Sequence, residues 1–337
     1  MKLIEIEYLR PILFILLFFV HAFTIYTKSS WELPNGIEYV ETYDWILRVS
    51  YSSMLELFTF ISGYVYYYVS LRKSQSFKEL LVSKFRRLIL PSFFFSFLYY
   101  ILLDNYSLNW KIGYDLLCGI GHLWYLPMLF ICFLISYYIK DSKKFLFILF
   151  ITLVVSIFSR CPNVFRISQV AYYYFYFYLG ICVSKNRMNI HQYLKLRKIN
   201  VLICIFFVLS LIILLPLNVR LSGVYTETWV GGYFLAALIK YINILYSTIG
   251  IFFWYLVSIR LTKHFPFVPF YIRQFNMLSM GVYLFHQFVL MYLYYHTNLS
   301  ILCGSLLLPW IAILIAIPSS ILLSYFFRKI KIGKILT

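Results

Sequence analysis

The sequence predicts an all-α integral membrane protein with about ten transmembrane helices and both termini in the cytoplasm. Hydrophobic residues make up 62% of the 337 positions and charged residues only 12%. A soluble domain is nearer half apolar and a quarter charged. Several apolar runs reach about 18 residues, which is enough for one helix to cross a bilayer. The basic residues fall in alternate loops, as topology signals do.

Ten spans separated by short polar segments are predicted along the chain. They cover residues 9–27, 50–71, 88–104, 122–140, 144–160, 168–185, 199–217, 231–259, 278–297 and 303–327. The length leaves little room for a sizeable soluble domain, so residues 1–337 are interpreted as a single transmembrane domain. The first span carries Arg10 and lacks a small-residue cleavage site, which favours a retained helix over a signal peptide.

The formal net charge of +18 is distributed as the positive-inside rule describes. One set of alternate loops, which includes the KFRR segment at 84–87 and the C-terminal tail, is basic, and the other set leans acidic. This bias predicts cytoplasmic termini and argues against a nucleic-acid partner, which would need one soluble basic face. The six cysteines show no C-x-x-C spacing, so no metal site is expected, and whether Cys118 and Cys161 pair stays open.

Two ionisable residues, Arg10 and His21, lie in the first span. Eleven residues of helix rise roughly 16 Å and return to within about 20° of the same face. Both side chains are therefore expected on one stripe of one helix. An ionisable residue within a span is a functional hypothesis by default. The alternative is that Arg10 snorkels to the interface and His21 packs, and the spacing alone favours neither interpretation.

The second span contains Ser62-Gly63 at its middle and Glu56 in its outer half. Small-residue helix packing is the favoured interpretation of the Ser62-Gly63 pair, and close approach of a ligand is the alternative. A carboxylate at the position of Glu56 either orients a histidine or marks the outer boundary of the span.

The loop before the third span ends in KFRRLILP, with Arg86, Arg87 and then Pro91 in the first turn of the helix. From this segment alone, positive-inside anchoring is favoured. The alternative is an anion clamp, because the planar guanidinium binds phosphate in a bidentate manner.

Two later segments carry further histidines. The fourth span begins with His122, Trp124 and Tyr125, where an aromatic belt is expected anyway, although aromatic faces also stack on sugars. In the ninth span Tyr283 and His286 share one helical face. A histidine deep in a span is costly unless it has a partner or faces a polar cavity.

Together these elements resemble the acyltransferase-3 family of integral membrane acyltransferases. The shared pattern is R-x10-H at 10–21, F-x-S-G at 60–63, R-x-x-x-P at 87–91, H-L-W-[FY]-L at 122–126 and G-x-Y-L-x-H at 281–286. The resemblance covers nearly the whole chain, and the R-x10-H pair is its most specific part. The chain departs from a common form in Glu56 and in Pro11, which is tolerable in a first helical turn.

The resemblance implies transfer of an acyl group, usually acetyl, from cytoplasmic acyl-CoA to a hydroxyl of a surface or lipid-linked glycan. Acyl-CoA, expected to be acetyl-CoA, is then a co-substrate, and no bound cofactor is expected. The implied partners are the lipid bilayer, acyl-CoA and the glycan acceptor, in a bacterial cytoplasmic membrane. Two alternatives stay open, a glycan or lipid transporter without covalent chemistry and a non-catalytic scaffold.

Predicted roles for individual residues follow from the family pattern and the chemistry. The predicted catalytic residues are His21 as the base, Arg10, His286 and Glu56. The predicted acyl-CoA contacts are Arg10, Arg86, Arg87, Ser62 and Gly63. The predicted acceptor contacts are His122, Trp124, Tyr125 and Tyr283.

Overall fold

A computed structural model describes residues 3–27, 31–102, 112–158, 166–224 and 229–336. These residues form helices joined by short connections, and no strand occurs among them. The α-helices are α1 Ile4–Phe23, α2 Glu41–Ser70, α3 Phe77–Lys84, α4 Leu90–Leu102, α5 Ile112–Cys118, α6 Tyr125–Ile139, α7 Phe145–Phe158, α8 Ile167–Lys185, α9 Arg187–Tyr193, α10 Arg197–Leu209, α11 Leu215–Ser222, α12 Trp229–His264, α13 Phe270–Tyr295, α14 Leu299–Lys329 and α15 Lys331–Leu336.

Seven helical stretches of the described chain are long and apolar enough to cross a membrane. They are Ile4–Tyr26, Phe77–Leu102, Gly121–Ile139, Arg197–Ser222, Gly231–His264, Phe270–Tyr295 and Leu299–Lys329. The all-α membrane class is therefore confirmed. The count of ten spans and the cytoplasmic termini stay predictions. Among the remaining predicted spans, α7 is apolar but has only 14 residues.

The described chain divides into two compact units. Unit 1 comprises Met1–Leu9, Ser52–Leu80 and Ile131–Phe267, and unit 2 comprises Arg10–Tyr51, Leu81–Phe130 and Val268–Thr337. The single-domain interpretation stays a prediction. Cys161, whose pairing with Cys118 is an open question, lies outside the described residues, as do Lys28, Lys111, Arg160 and Glu227 of the loops that the charge bias predicts to face outward.

Helix α1 begins earlier than the sequence predicts. It starts at Ile4, so Pro11 lies in the helix interior and the expectation of a first-turn proline is wrong. Proline has no N–H, so the regular bond to the Glu7 carbonyl is missing there. The helix nevertheless continues to Phe23. Arg10 and His21 therefore lie on one uninterrupted helix, as the spacing predicts.

The KFRR segment lies within a continuous helical stretch and not in a loop, so that prediction was wrong. One π-helical turn, Phe85–Ile89, joins α3 to α4 two residues before Pro91. A second π-helical turn, Ser210–Leu214, joins α10 to α11 two residues before Pro216. A proline lacks a donor and its ring clashes with the preceding turn. A single wider turn accommodates both defects without ending the helix.

Close helix contacts in each unit depend on glycine. In unit 1 a Cβ placed on Gly63 of α2 would lie 1.9 Å from the Phe177 carbonyl oxygen. The reverse contact is as tight, since a Cβ on Gly180 of α8 would lie 2.1 Å from the Phe60 carbonyl oxygen. In unit 2 a Cβ on Gly281 of α13 would lie 2.1 Å from Ser324 Oγ of α14. These contacts fix α2 against α8 and α13 against α14.

Candidate functional site

Three histidines from separate parts of the sequence converge in unit 2. His21 is in the last turn of α1, His122 is in the 3₁₀ turn Gly121–Trp124, and His286 is near the middle of α13. The His286 ring centroid lies 4.8 Å from that of His21 and 4.8 Å from that of His122. The His21 and His122 centroids are 6.1 Å apart. Of the three residues, His21 is half-buried and the other two are buried.

The hydrogen bonds of His286 determine which ring nitrogen carries its proton. Nδ1 lies 2.7 Å from the Tyr283 carbonyl oxygen, which can only accept, so Nδ1–H is the donor. In the neutral ring Nε2 then holds a lone pair. This buried Nε2 has no hydrogen-bond partner among the described residues. The side chain is fully buried, so a basic nitrogen without a partner has an energetic cost. Such a group is typical of a functional site.

His122 has a different environment, because both of its ring nitrogens have partners. Nε2–H donates to the same Tyr283 carbonyl at 2.9 Å, and Nδ1 accepts from the Tyr99 hydroxyl at 3.3 Å. The His122 backbone is held as well. Its N–H donates to Gln287 Oε1 at 3.2 Å, and its carbonyl accepts from the Tyr283 hydroxyl at 2.6 Å. His122 is therefore suited to positioning its neighbours.

A tight turn presents His122. Gly119 and Gly121 both have positive φ, at 79° and 55°, a conformation that residues with a side chain rarely adopt. A Cβ on Gly119 would also lie 2.6 Å from the Leu123 carbonyl carbon. Between them, the Ile120 N–H donates to Ser96 Oγ of α4 at 3.0 Å. The G-x-G sequence immediately before His122 is thus the local cause of its position.

The described residues provide no hydrogen bond to the His21 ring, which meets other rings instead. Besides the two histidines it has Trp31 as a neighbour, at 6.4 Å between centroids. Because both ring nitrogens of His122 already have hydrogen-bond partners, the three rings do not present three free lone pairs to a metal ion. No group of His, Cys, Asp or Glu suited to a metal ion occurs among the described residues.

Four of the predicted acyl-CoA residues fall in two separate segments of the sequence. Arg86 and Arg87 are exposed on the π-helical turn Phe85–Ile89 of unit 2. Ser62 and Gly63 belong to unit 1, where Ser62 Oγ donates to the Phe58 carbonyl at 2.9 Å. The acyl-CoA roles of these four residues stay predictions.

Glu56 also belongs to unit 1 and is buried there. Its carboxyl group lies next to the Tyr172 hydroxyl of α8, and Tyr176 of the same helix is close enough to interact with it electrostatically. Oε2 has no hydrogen-bond partner among the described residues. The contacts of Glu56 are thus with tyrosines, and its catalytic role stays a prediction.

The predicted acceptor contacts lie beside the histidines but are mostly buried. Tyr283 is 7% exposed and Tyr125 is 4% exposed, and their ring centroids are 6.3 Å apart. Trp124 is half-buried and meets Tyr125 edge to face. An acceptor that reached His122 or Tyr283 would meet polar atoms that already have partners. The acceptor roles of these four residues stay predictions.

Sequence reasoning missed the residues that support the histidines and one that borders them. Tyr99, Gln287 and Trp31 carried no signal, because each acquires its role only by folding next to a distant segment. The G-x-G before His122 was a usable signal for a tight turn.

Sequence reasoning also missed a buried ion pair in unit 1. Glu5 of α1, 3% exposed, pairs with Arg187 of α9 at 2.9 Å. The Tyr64 hydroxyl donates to Glu5 at 2.9 Å and lies 3.2 Å from the Tyr255 hydroxyl, which in turn lies 2.9 Å from His191 Nε2. Burial lowers the pKa of His191 below its usual value, and the positive charges of Arg187 and Lys195 act in the same direction, whereas Glu5 opposes them.

Comparison with known proteins gives a family. No curated protein and no solved structure matches the chain significantly. A family model described as an acyltransferase domain, that of the acyltransferase-3 family, matches residues 3–329. That match spans nearly all of the 337 residues and includes every residue of the histidine cluster, so the chain belongs to the acyltransferase-3 family.

Proposed function

We propose that this membrane acyltransferase moves an acetyl group from acetyl-CoA to a hydroxyl of a surface or lipid-linked glycan, with His21 as the general base. The observation that carries the proposal is the 4.8 Å contact between the half-buried His21 ring and the fully buried His286 ring. A hydroxyl is a weak nucleophile, so it needs a base within hydrogen-bond reach. Imidazole is suited to that role because it titrates near neutral pH.

The proposed transfer is a direct displacement at the thioester. The acceptor oxygen forms a bond to the acyl carbon while His21 takes the hydroxyl proton. The carbon–sulfur bond then breaks, and the proton passes from His21 to the departing CoA thiolate. One proton is taken and one is returned, so the enzyme ends the cycle unchanged. Catalysis by a positioned base contributes typically about 10²–10⁴-fold.

His286 is proposed to orient His21 and to stabilise its charged form. Its Nε2 lone pair is buried and has no partner among the described residues, next to the His21 ring. An N–H of His21 can donate to that lone pair once substrate is bound, as the third group of a catalytic triad orients its base. Such bonds are often long before substrate arrives.

The donor is proposed to approach along the side of α1 that carries Arg10. The α1 helix is continuous between Arg10 and His21, so their backbone positions are separated by a rise of roughly 16 Å on one face of the helix. A CoA donor is polyanionic, and arginine binds phosphate in a bidentate manner. Arg86 and Arg87, both exposed, are proposed as further phosphate contacts.

The direct test uses radiolabelled acetyl-CoA and unacylated surface polysaccharide from a strain that lacks the gene. Membranes with the wild-type chain are expected to label the polysaccharide, and His21→Ala membranes with the same amount of protein are expected not to. The matched control is His296→Ala, since His296 is exposed and lies at the C-terminal end of α13. Equal labelling by wild type and His21→Ala would remove His21 from the mechanism. Unmodified glycan crossing the membrane without label would support a transporter.

A further inference from the structure

The half-buried indole of Trp31 borders the half-buried imidazole of His21. Their ring centroids are 6.4 Å apart and their planes are inclined by 34°. His21 also meets the fully buried His286. Of these two rings that border the proposed base, the indole is therefore the partly exposed one.

Two consecutive tyrosines of α13 hold this arrangement in place. The Tyr294 hydroxyl donates to the carbonyl of Ala22, the residue after His21, at 2.7 Å. The Tyr295 hydroxyl donates to the carbonyl of Glu32, the residue after Trp31, at 2.8 Å.

The same two tyrosine rings support the indole itself. They meet Trp31 edge to face, with centroids 6.1 and 6.3 Å from that of the indole. One short segment of α13 thus fixes the position of the base and of the indole next to it.

We propose that Trp31 is the stacking platform for a pyranose ring of the acceptor, and this proposal rests on the proposed acyl transfer to a glycan. The face of an indole carries partial negative charge and attracts the C–H groups on the apolar face of a sugar. The hydroxyl groups of the sugar project from its edge. A pyranose ring on Trp31 therefore presents a hydroxyl to the neighbouring His21.

A membrane-interface anchor is the competing explanation for Trp31, since tryptophan is enriched at both interfaces. An anchor needs only a large amphipathic side chain at the correct depth. A platform needs an aromatic face beside His21, so its loss affects acceptor binding and leaves donor binding unchanged. The two explanations therefore differ in which Michaelis constant responds.

The test measures both substrates separately in Trp31→Leu, Trp31→Phe and the control Trp310→Leu. Leucine keeps an apolar side chain but removes the aromatic face, and phenylalanine keeps an aromatic face. Trp310 also packs on α1, against Phe19 and Phe23, but no contact with the His21 ring is present. The substrates are labelled acetyl-CoA and the unacylated polysaccharide described above.

Trp31→Leu is expected to raise the KM for polysaccharide by about tenfold and to change kcat and the KM for acetyl-CoA less than about twofold. Trp31→Phe should restore most of the loss, and Trp310→Leu should leave the polysaccharide KM unchanged. An unchanged polysaccharide KM in Trp31→Leu would refute the platform role of Trp31. An equal rise in the polysaccharide KM in Trp310→Leu would refute it as well.

A milder variant tests the same proposal if the Trp31 variants misfold. Tyr295→Phe keeps the ring but removes the hydroxyl that holds the Glu32 carbonyl, so a smaller rise in the polysaccharide KM is expected. Tyr292→Phe, on an exposed residue, is its control.

Failure of the proposed function gives a different result, because the wild-type chain itself would then not label the polysaccharide. Labelling by wild type with no change in Tyr295→Phe and Trp31→Leu would refute only the role of Trp31.

Discussion

His122 and His286 donate ring N–H bonds to one acceptor, the carbonyl oxygen of Tyr283, at 2.9 and 2.7 Å. The shared acceptor fixes the tautomer of both rings, because a carbonyl oxygen cannot donate. The two rings differ in the hydrogen bonding of their second nitrogen. His122 uses its second nitrogen on Tyr99, whereas the second nitrogen of His286 has no hydrogen-bond partner among the described residues. This difference predicts different consequences when each ring is removed.

His286→Leu is expected to lower kcat by about 10²–10⁴-fold, because the proposed base loses the lone pair that orients it. The KM for acetyl-CoA should change little. The measurement is label transfer at saturating acetyl-CoA, with the amount of folded protein checked by its thermal midpoint in detergent. His264→Leu, on an exposed residue, serves as the control. A kcat within twofold of wild type would exclude His286 from the reaction.

His122→Leu is expected to act through stability and positioning. It removes two buried hydrogen bonds, one with the Tyr99 hydroxyl and one with the Tyr283 carbonyl. Each intramolecular hydrogen bond contributes about 0.5–1.5 kcal/mol to stability, so the thermal midpoint should fall. At a temperature where the variant is folded, kcat should fall less than in His286→Leu, with the pH profile of kcat unchanged. A larger loss of kcat than in His286→Leu would reverse the assignment of the two rings.

The sequence predicted that Arg10 and His21 lie on one face of one helix. In a regular helix the number of residues between two positions sets the angle between their side chains. It could not predict that His21, His122 and His286 meet, because tertiary packing joins three segments whose separations carry no periodicity. Trp31 was missed for the same reason. Pro91 does carry a signal, since a proline inside an apolar run can be accommodated by a π-helical turn instead of a loop. The number of spans is harder to predict from sequence because the many tyrosines of a helix such as α8 make it less apolar than a typical span.

Gly281→Ala is expected to destabilise unit 2, since the new methyl group would lie 2.1 Å from Ser324 Oγ. Overpacking of this kind typically costs about 1–3 kcal/mol. Ser324→Gly removes the obstructing side chain, so the double variant Gly281→Ala/Ser324→Gly should be more stable than Gly281→Ala alone. The thermal midpoints of the three variants measure this coupling. A double variant no more stable than Gly281→Ala would show that the α13–α14 contact is not limited by these two side chains.

Gly63→Ala tests whether this glycine has a packing role or contacts acyl-CoA. A Cβ there would lie 1.9 Å from a backbone oxygen of α8, which cannot move as the end of a side chain can. The expected result is a lower thermal midpoint, with Gly180→Ala giving a similar loss across the same contact. Gly113→Ala is the control, because nothing lies within 4 Å of the position of its Cβ. An unchanged midpoint together with a raised KM for acetyl-CoA would favour the acyl-CoA role instead.

The lowered pKa of His191 predicts how the stability of unit 1 depends on pH. Burial lowers the pKa of His191 in the folded chain, so between that pKa and the usual value of about 6.5 the unfolded chain binds more protons. The free energy of unfolding should therefore fall as the pH decreases from about 7.5 through this window. Charged and titratable groups facing the imidazole are Glu5, Arg187, Lys195 and the Tyr255 hydroxyl. His191→Gln removes the titration, so its thermal midpoint should change less than that of wild type between pH 7.5 and pH 5.5. Parallel curves for the two proteins would show that protonation of His191 does not oppose folding.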